Sequence, residues 1–284
     1  MRRLAYILIL VAGVVCCKQE TKAQSTVLDG VYVKEHTVGR RVIPYPYLRE
    51  ADVMWLKRIW RTIDLREKIN HPLYFPTSPI NDRKSLFDVI KDAIINEGTI
   101  TAYSVGPTGQ DDEFTTPLTV DEVKAMLFKV DTQYTEDPIT GEMMEVITPI
   151  ELKTDEIKQF DVKEEWFFDR QRSVMDVRII GIAPKREKKN EFGEVMGMEK
   201  LFWIYFPEAR YVFAHHEVFN RHNDAERRTF EDIFWKRQFG SFIIKESNVY
   251  DRFISEYKTN LDALLEAEKI KEKLFFMEHD VWHF

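Results

Sequence analysis

Residues 163–184 read KEEWFFDRQRSVMDVRIIGIAP, four acids and four bases set among some of the most apolar residues of the chain. Side chains alternate across a strand, so Met175, Val177 and Ile179 share one face. Asp176 and Arg178 share the other face with Val174 and Ile180. Such a strand needs a sheet that is apolar on one side and mixed on the other, and Pro184 is expected to end it. The run LFWIYF at 201–206 is apolar on both faces and needs cover on both sides. Between the two lies a polar stretch, 185–200, containing Gly193 and Gly197, which reads as an exposed hairpin loop and predicts antiparallel pairing.

The rest of the chain reads mainly as helix. EADVMWLKRIWRTIDLREKIN, 50–70, places Val53, Leu56, Trp60 and Ile63 at helical spacing, with Asn70 and Pro72 closing it and Trp55 and Ile59 widening its apolar flank. A second helix is expected over 82–98, capped by Asp82 and stopped by Gly98. A short strand is expected at 99–105, then a turn-rich loop from Gly106 to Glu113. A third helix over 119–128 opens on Thr119 with Glu122 in the capping-box position. Asp137-Pro138 and Thr140-Gly141 mark a hairpin-like turn. Helices are expected again over 223–239, capped by Asn223 with Glu226 three residues on, and over 247–257 and 260–275. The fold class is α+β: an antiparallel sheet in the C-terminal half, with flanking helices before and after it.

Arg2 and Arg3, the twelve-residue apolar run Leu4 to Val15 and the site Thr21-Lys22-Ala23 have the layout of a secretory signal peptide. Twelve residues are fewer than the ~20 a bilayer span needs. Cys16 and Cys17 are the chain's two cysteines, and a lipid anchor at either would want a small residue before it; Val15 precedes Cys16 and Cys16 precedes Cys17. Cleavage after Ala23 is therefore favoured, and it leaves a mature chain without cysteine. Loss of Arg2, Arg3, Lys18, Lys22 and Glu20 moves the net charge from −7 to −10. So acidic a chain lacks the basic footprint of a nucleic-acid binder. The expected organisation is a signal peptide at 1–23, an extended arm at 24–48, a mainly helical lobe at 49–135, an α+β lobe at 136–259 and a helical tail at 260–284.

A search for chemistry finds no catalytic constellation. HHEVFNRH, 215–222, resembles the zinc-protease pattern, where a four-residue step puts two histidines on one helix face. Here His216 to His222 is a step of six, and His215 to His222 is a step of seven, two turns and about 10 Å along a helix. A periplasmic metal-dependent hydrolase using His215, His216 and Glu217 stays open as the alternative, as does a lipoprotein binding module anchored at Cys17. No nucleophile elbow and no phosphate loop is present. Glu164 and Glu165 are adjacent and so face opposite ways on a strand, which unfits them as an acid–base pair. No cofactor, metal or catalytic residue is assigned.

Aromatic and arginine side chains in mixed company remain, and these dominate protein–protein contacts. The candidate interface is Trp55, Ile59, Trp166, Arg170, Arg172, Asp176 and Arg178. Asp176 and Arg178, two apart on one face, are expected to pair with each other, while Arg170 and Arg172 at the bend reach acidic groups on a neighbour.

The blocks DVMWLKRIWRTIDLREKIN, EEWFFDRQRSVMDVRIIGIAP, LFWIYFPEARYVF and EVFNRHNDAERRTFEDIFWKRQFGSFIIKESNVYDR together resemble the GldN gliding-motility family, also called PorN, from about Asp52 to Arg252. That resemblance implies an exported, periplasmic, non-enzymatic ring component of the type IX secretion system, peripheral to the outer membrane. It implies as partners a GldK/PorK-type outer-membrane lipoprotein, the periplasmic domain of a GldM/PorM-type motor protein and further copies of the chain. No catalytic residue is carried over.

Overall fold

A computed structural model describes residues 39–80, 83–136, 143–190, 194–220, 223 and 225–281, with side chains left out over 129–150 and at 189 and 281. The signal peptide, Cys16, Cys17, most of the expected arm, Asp82, the 137–142 turn and His222 lie outside the described residues.

The architecture is α+β, built on a long antiparallel hairpin. Strand β5, Ile157–Asp169, pairs with β6, Val174–Lys189, from Asp169↔Val174 at the tip to Ile157↔Arg186 at the base. Along β5 almost every position is buried, as a strand inside a sheet covered on both faces must be. β6 runs through Pro184 instead of stopping there. Its Pro184 carbonyl accepts from Leu201 N–H just where β7, Val195–Lys200, hands over to β8, Trp203–Tyr205, so the proline nitrogen faces a break in the ladder. The expected loop at 185–200 is accordingly a β6–β7 ladder, Lys185↔Lys200 to Lys189↔Val195.

The stretch 50–70, expected to be helical, forms β1, Val53–Asp64, paired with β5 over nearly its whole length. Val53, Leu56, Trp60 and Ile63 satisfy a helical period, but the segment is rich in β-branched and aromatic residues and buried on both faces from Ile59 onward. A strand with two buried faces leaves no single apolar stripe by which to recognise it. With β2, Ala102–Tyr103, and β11, Phe242–Glu246, the sheet runs β11-β1-β5-β6-β8-β2, with β7 on the edge of β6. β3, Phe128–Glu136, and β4, Met143–Glu151, form a separate two-stranded ribbon. The ladder Glu217–Val218 (β9) and Arg228–Thr229 (β10) forms another.

Helices α1, His71–Tyr74, and α2, Leu86–Asp92, join α3, Val120–Leu127, α4, Phe206–His215, and α5, Phe230–Trp235, over one face. Their apolar residues meet Ile63, Phe160, Val162 and Ile179 of the sheet in the main core. The α2 cap is Ser85, whose hydroxyl accepts from Asp88 N–H. The α3 capping box forms as expected from Thr119 and Glu122, and Gly98 takes the left-handed conformation at φ 63° that stops the α2 region. The helix expected over 223–239 is confined to α5: Thr229 and Asp232 make the capping box, because Arg228 and Thr229 are held in a ladder that blocks an earlier start. Helix α4 was not expected; Pro207 in its first turn with Glu208 beside it is the local signal for it.

The same sheet face continues under the C-terminal helices α6, Ile254–Tyr257, and α7, Asn260–Val281. Ile59 and Ile243 pack there on Ile254, Ala267, Ile270 and Leu274. The opposite face holds Trp60, Ala183 and Trp203, closed by Tyr103, Val105 and Phe114. Among the described residues no helix is long and apolar enough to cross a membrane.

Candidate functional site

The charges of 163–165 are satisfied within the subunit, on opposite faces of β5. Glu164 is fully buried and accepts from Arg61 Nε at 3.1 Å, Arg237 Nη2 at 2.8 Å and Trp166 Nε1 at 3.0 Å. Both guanidinium groups lie over the Trp166 ring, at 5.6 and 5.5 Å. Burial pulls the Arg61 pKa down and Glu164 opposes the shift. On the other face Lys163 Nζ donates to the Asp112 carbonyl at 2.6 Å and carboxylate at 3.0 Å, between the Trp60 and Phe114 rings. Asp161 accepts from Thr62 Oγ1 at 2.7 Å and Lys185 Nζ at 3.1 Å, while burial lowers the pKa of Lys200 beside it. These charges hold the sheet together.

The aromatic candidates are covered as well. Ile59 is fully buried, and Trp55 and Trp166 pack beside it in the cluster that α7 closes.

Asp176 and Arg178 do not pair with each other. Asp176 Oδ1 accepts from Val177 N–H at 2.8 Å. Arg178 donates from Nη2 to the Pro46 carbonyl at 2.6 Å and lies over Tyr45 and Phe167, at 5.0 and 5.2 Å. The partner that the sequence pattern did not disclose is the N-terminal arm. Residues 40–47 lie against α4 and α5. Arg40 reaches Asp232, Ile43 offers its carbonyl to Arg210 at 2.7 Å, and Tyr45 stacks on Trp235 at 5.5 Å. Arg210 lies 4.0 Å from the Tyr45 ring centroid and donates twice to Glu231, at 2.8 and 2.6 Å. Burial raises the Glu231 pKa, with Arg210 opposing.

What stays open is the hairpin tip. Arg170 to Val174 are exposed; Arg172 reaches Asp169 at 3.3 Å, and Arg170 is fixed by its own N–H to the Asp52 carbonyl at 2.9 Å. Beside the tip, β1 exposes Met54 and Leu56, 66% and 47% accessible, and β6 exposes Val174 at 44%. The ladders Val53↔Asp169 and Asp169↔Val174 set these strand ends in one row. Arg58, paired with Glu165 at 2.6 Å, borders them. The result is an exposed, arginine-bearing tip, with exposed apolar side chains on the strands to either side of β5.

The histidines are engaged locally. His215 Nδ1 bonds the Tyr211 carbonyl at 2.6 Å, His216 Nδ1 bonds that of Val212 at 2.9 Å, and Glu217 accepts from Arg227 at 3.0 Å. Among the described residues no three His, Cys, Asp or Glu side chains are placed to hold a metal ion. Replacing His215, His216 and His222 together with Ala should leave the circular dichroism spectrum and protein secretion by the cell unchanged. Loss of secretion by a folded, assembled variant would restore the hydrolase alternative.

A family model described as "Gliding motility associated protein GldN" matches residues 48–283. A search of the curated proteins gives no match.

Proposed function

The chain belongs to the GldN family of gliding-motility associated proteins, and from that premise we propose that it is a non-enzymatic building block of the type IX secretion and gliding machinery, working in the periplasm. In this reading it forms a ring with an outer-membrane lipoprotein of the GldK/PorK type, which keeps it at the outer membrane. It also meets the periplasmic domain of a GldM/PorM-type motor protein. The observation that carries the reading is the contrast within residues 163–184. The interior charges are consumed in fixed internal pairs, whereas the tip presents Arg170 and Arg172 beside Met54, Leu56 and Val174. An acid–base site needs titratable groups that converge on an open pocket, while a docking surface needs exposed apolar area with a charged rim. The tip has the second character.

Tagged chain purified from native membranes should bring down an outer-membrane lipoprotein and a periplasmic motor domain in fixed ratio. Recovery of the chain alone would sink the proposal. Its mature N-terminus should be Gln24 without lipid, since neither cysteine follows a small residue. Mass spectrometry decides this, and diacylglycerol at Cys16 or Cys17 would refute it.

A further inference from the structure

An open groove of about 680 Å³ runs between α1, β9 and α5, and its charge is unlike that of the chain as a whole. The chain carries a net charge of −7, yet among the described residues no Asp or Glu lines this groove. Ile69, Phe75, Val218 and Phe219 form its walls, with Lys68 and His71 at one edge. The volume lies within the ~300–1,000 Å³ of sites that take small organic ligands, and the lining has their usual character, apolar with a few polar groups. Ile69, Phe75 and Phe219 are 57%, 48% and 48% exposed, so a ligand laid along them has apolar area to cover.

Most polar groups of the groove are committed inside the subunit. Asn220 donates to Glu226 at 2.9 Å, and Arg228 donates to Glu226 at 3.3 Å and to Gln238 at 3.4 Å. Lys68 differs, for it makes no ion pair or hydrogen bond among the described residues. It stands on the short helical turn Lys68–Asn70 that leads into α1, three residues before His71, a spacing that puts the two side chains on one side. The His71 ring is held edge-on to Phe75 at 5.5 Å. A peptide laid in this groove would bring an N–H and a C=O with every residue, and groups that lose water there without a partner are costly. An occupant with an apolar body and one anionic head meets no such cost.

We propose that the groove binds the anion of a fatty acid, its carboxylate on Lys68 Nζ beside His71 and its alkyl chain along Ile69, Phe75, Val218 and Phe219. The ammonium supplies a charge-assisted hydrogen bond to the head, and each methylene that leaves water adds to the affinity. All of these residues belong to one subunit, so the site is independent of the chain's part in an assembly.

Isothermal titration calorimetry of the purified mature chain with dodecanoate, kept below its micelle concentration, is the test. One dodecanoate should bind per chain, and octanoate should bind about tenfold more weakly or worse, having four fewer methylenes to bury. Dodecyltrimethylammonium, with the same alkyl chain and the opposite charge, should also bind about tenfold more weakly. Lys68→Glu should weaken dodecanoate about tenfold without weakening dodecyltrimethylammonium, a change of sign preference that lost packing alone would not give. Phe219→Asp should abolish binding with an unchanged circular dichroism spectrum; should that variant unfold, Ile69→Asp at the more exposed wall position should show the same loss. Dodecanoate that fails to bind, that binds Lys68→Glu as it binds the wild type, or that binds no better than dodecyltrimethylammonium would each overturn the proposal. Binding of phosphatidylglycerol vesicles with no binding of dodecanoate would overturn it in favour of a membrane surface.

Discussion

Glu164→Ala should lower the free energy of unfolding by about 3–5 kcal/mol, the cost of breaking a buried ion pair from one side. The carboxylate is fully buried and receives two guanidinium groups and the Trp166 indole N–H. Its loss strands Arg61, which is 7% exposed and can reach water only by disrupting the packing of Trp166 and α7. The neighbouring substitution is the control. Glu165 pairs on the other face with Arg58, whose side chain is 52% exposed, so Glu165→Ala should cost no more than about 1 kcal/mol. Urea denaturation of the two variants reads the difference directly. Equal midpoints would mean that the Arg61–Glu164–Arg237 cluster does not fasten the helices to the sheet.

Arg170→Glu with Arg172→Glu should cost the assembly about 2 kcal/mol or more, a weakening of roughly thirtyfold, while the isolated subunit stays folded. Both residues lie at the tip, outside the core, and the long β5–β6 ladder beneath them keeps the tip in place. Arg172 also touches Asp169, a buried carboxylate, so a reversal there places two acids together. Arg170→Glu alone avoids this and should retain most of the effect. Met54→Asp, exposed on the adjacent strand β1, should act in the same direction. The readouts are circular dichroism on the isolated variants and co-purification with the lipoprotein. Unfolding of Arg170→Glu alone would return these charges to the core; normal assembly would place the docking surface elsewhere.

Local signals in the chain were readable and long-range ones were not. The Thr119–Glu122 box and the Gly98 stop depend on residues within one turn, and both form as the sequence suggests. The β6 arm of the hairpin was legible because apolar and mixed faces alternate from Val174 to Ile180. β1 misled because Val53, Leu56, Trp60 and Ile63 fit a helix while burial on both sides hides the strand period. Its identity comes from pairing with β5, about a hundred residues later, as the Ile59↔Glu164 register shows. The Arg178 partner was hidden for the same reason: Asp176 is near in sequence, whereas the Pro46 carbonyl is 132 residues away and a backbone acceptor carries no sequence signature. The exposure of Arg170 and Arg172 at the bend was thus legible. The packing of Trp55, Ile59 and Trp166 was illegible, because their cover arrives from α7.

Imaging of particles purified from native membranes through a tag on this chain tests the central claim most directly. The account predicts rings in which the chain and an outer-membrane lipoprotein are both present, and their loss in the Arg170→Glu variant. Single subunits free of any lipoprotein, from wild-type cells that secrete normally, would contradict it.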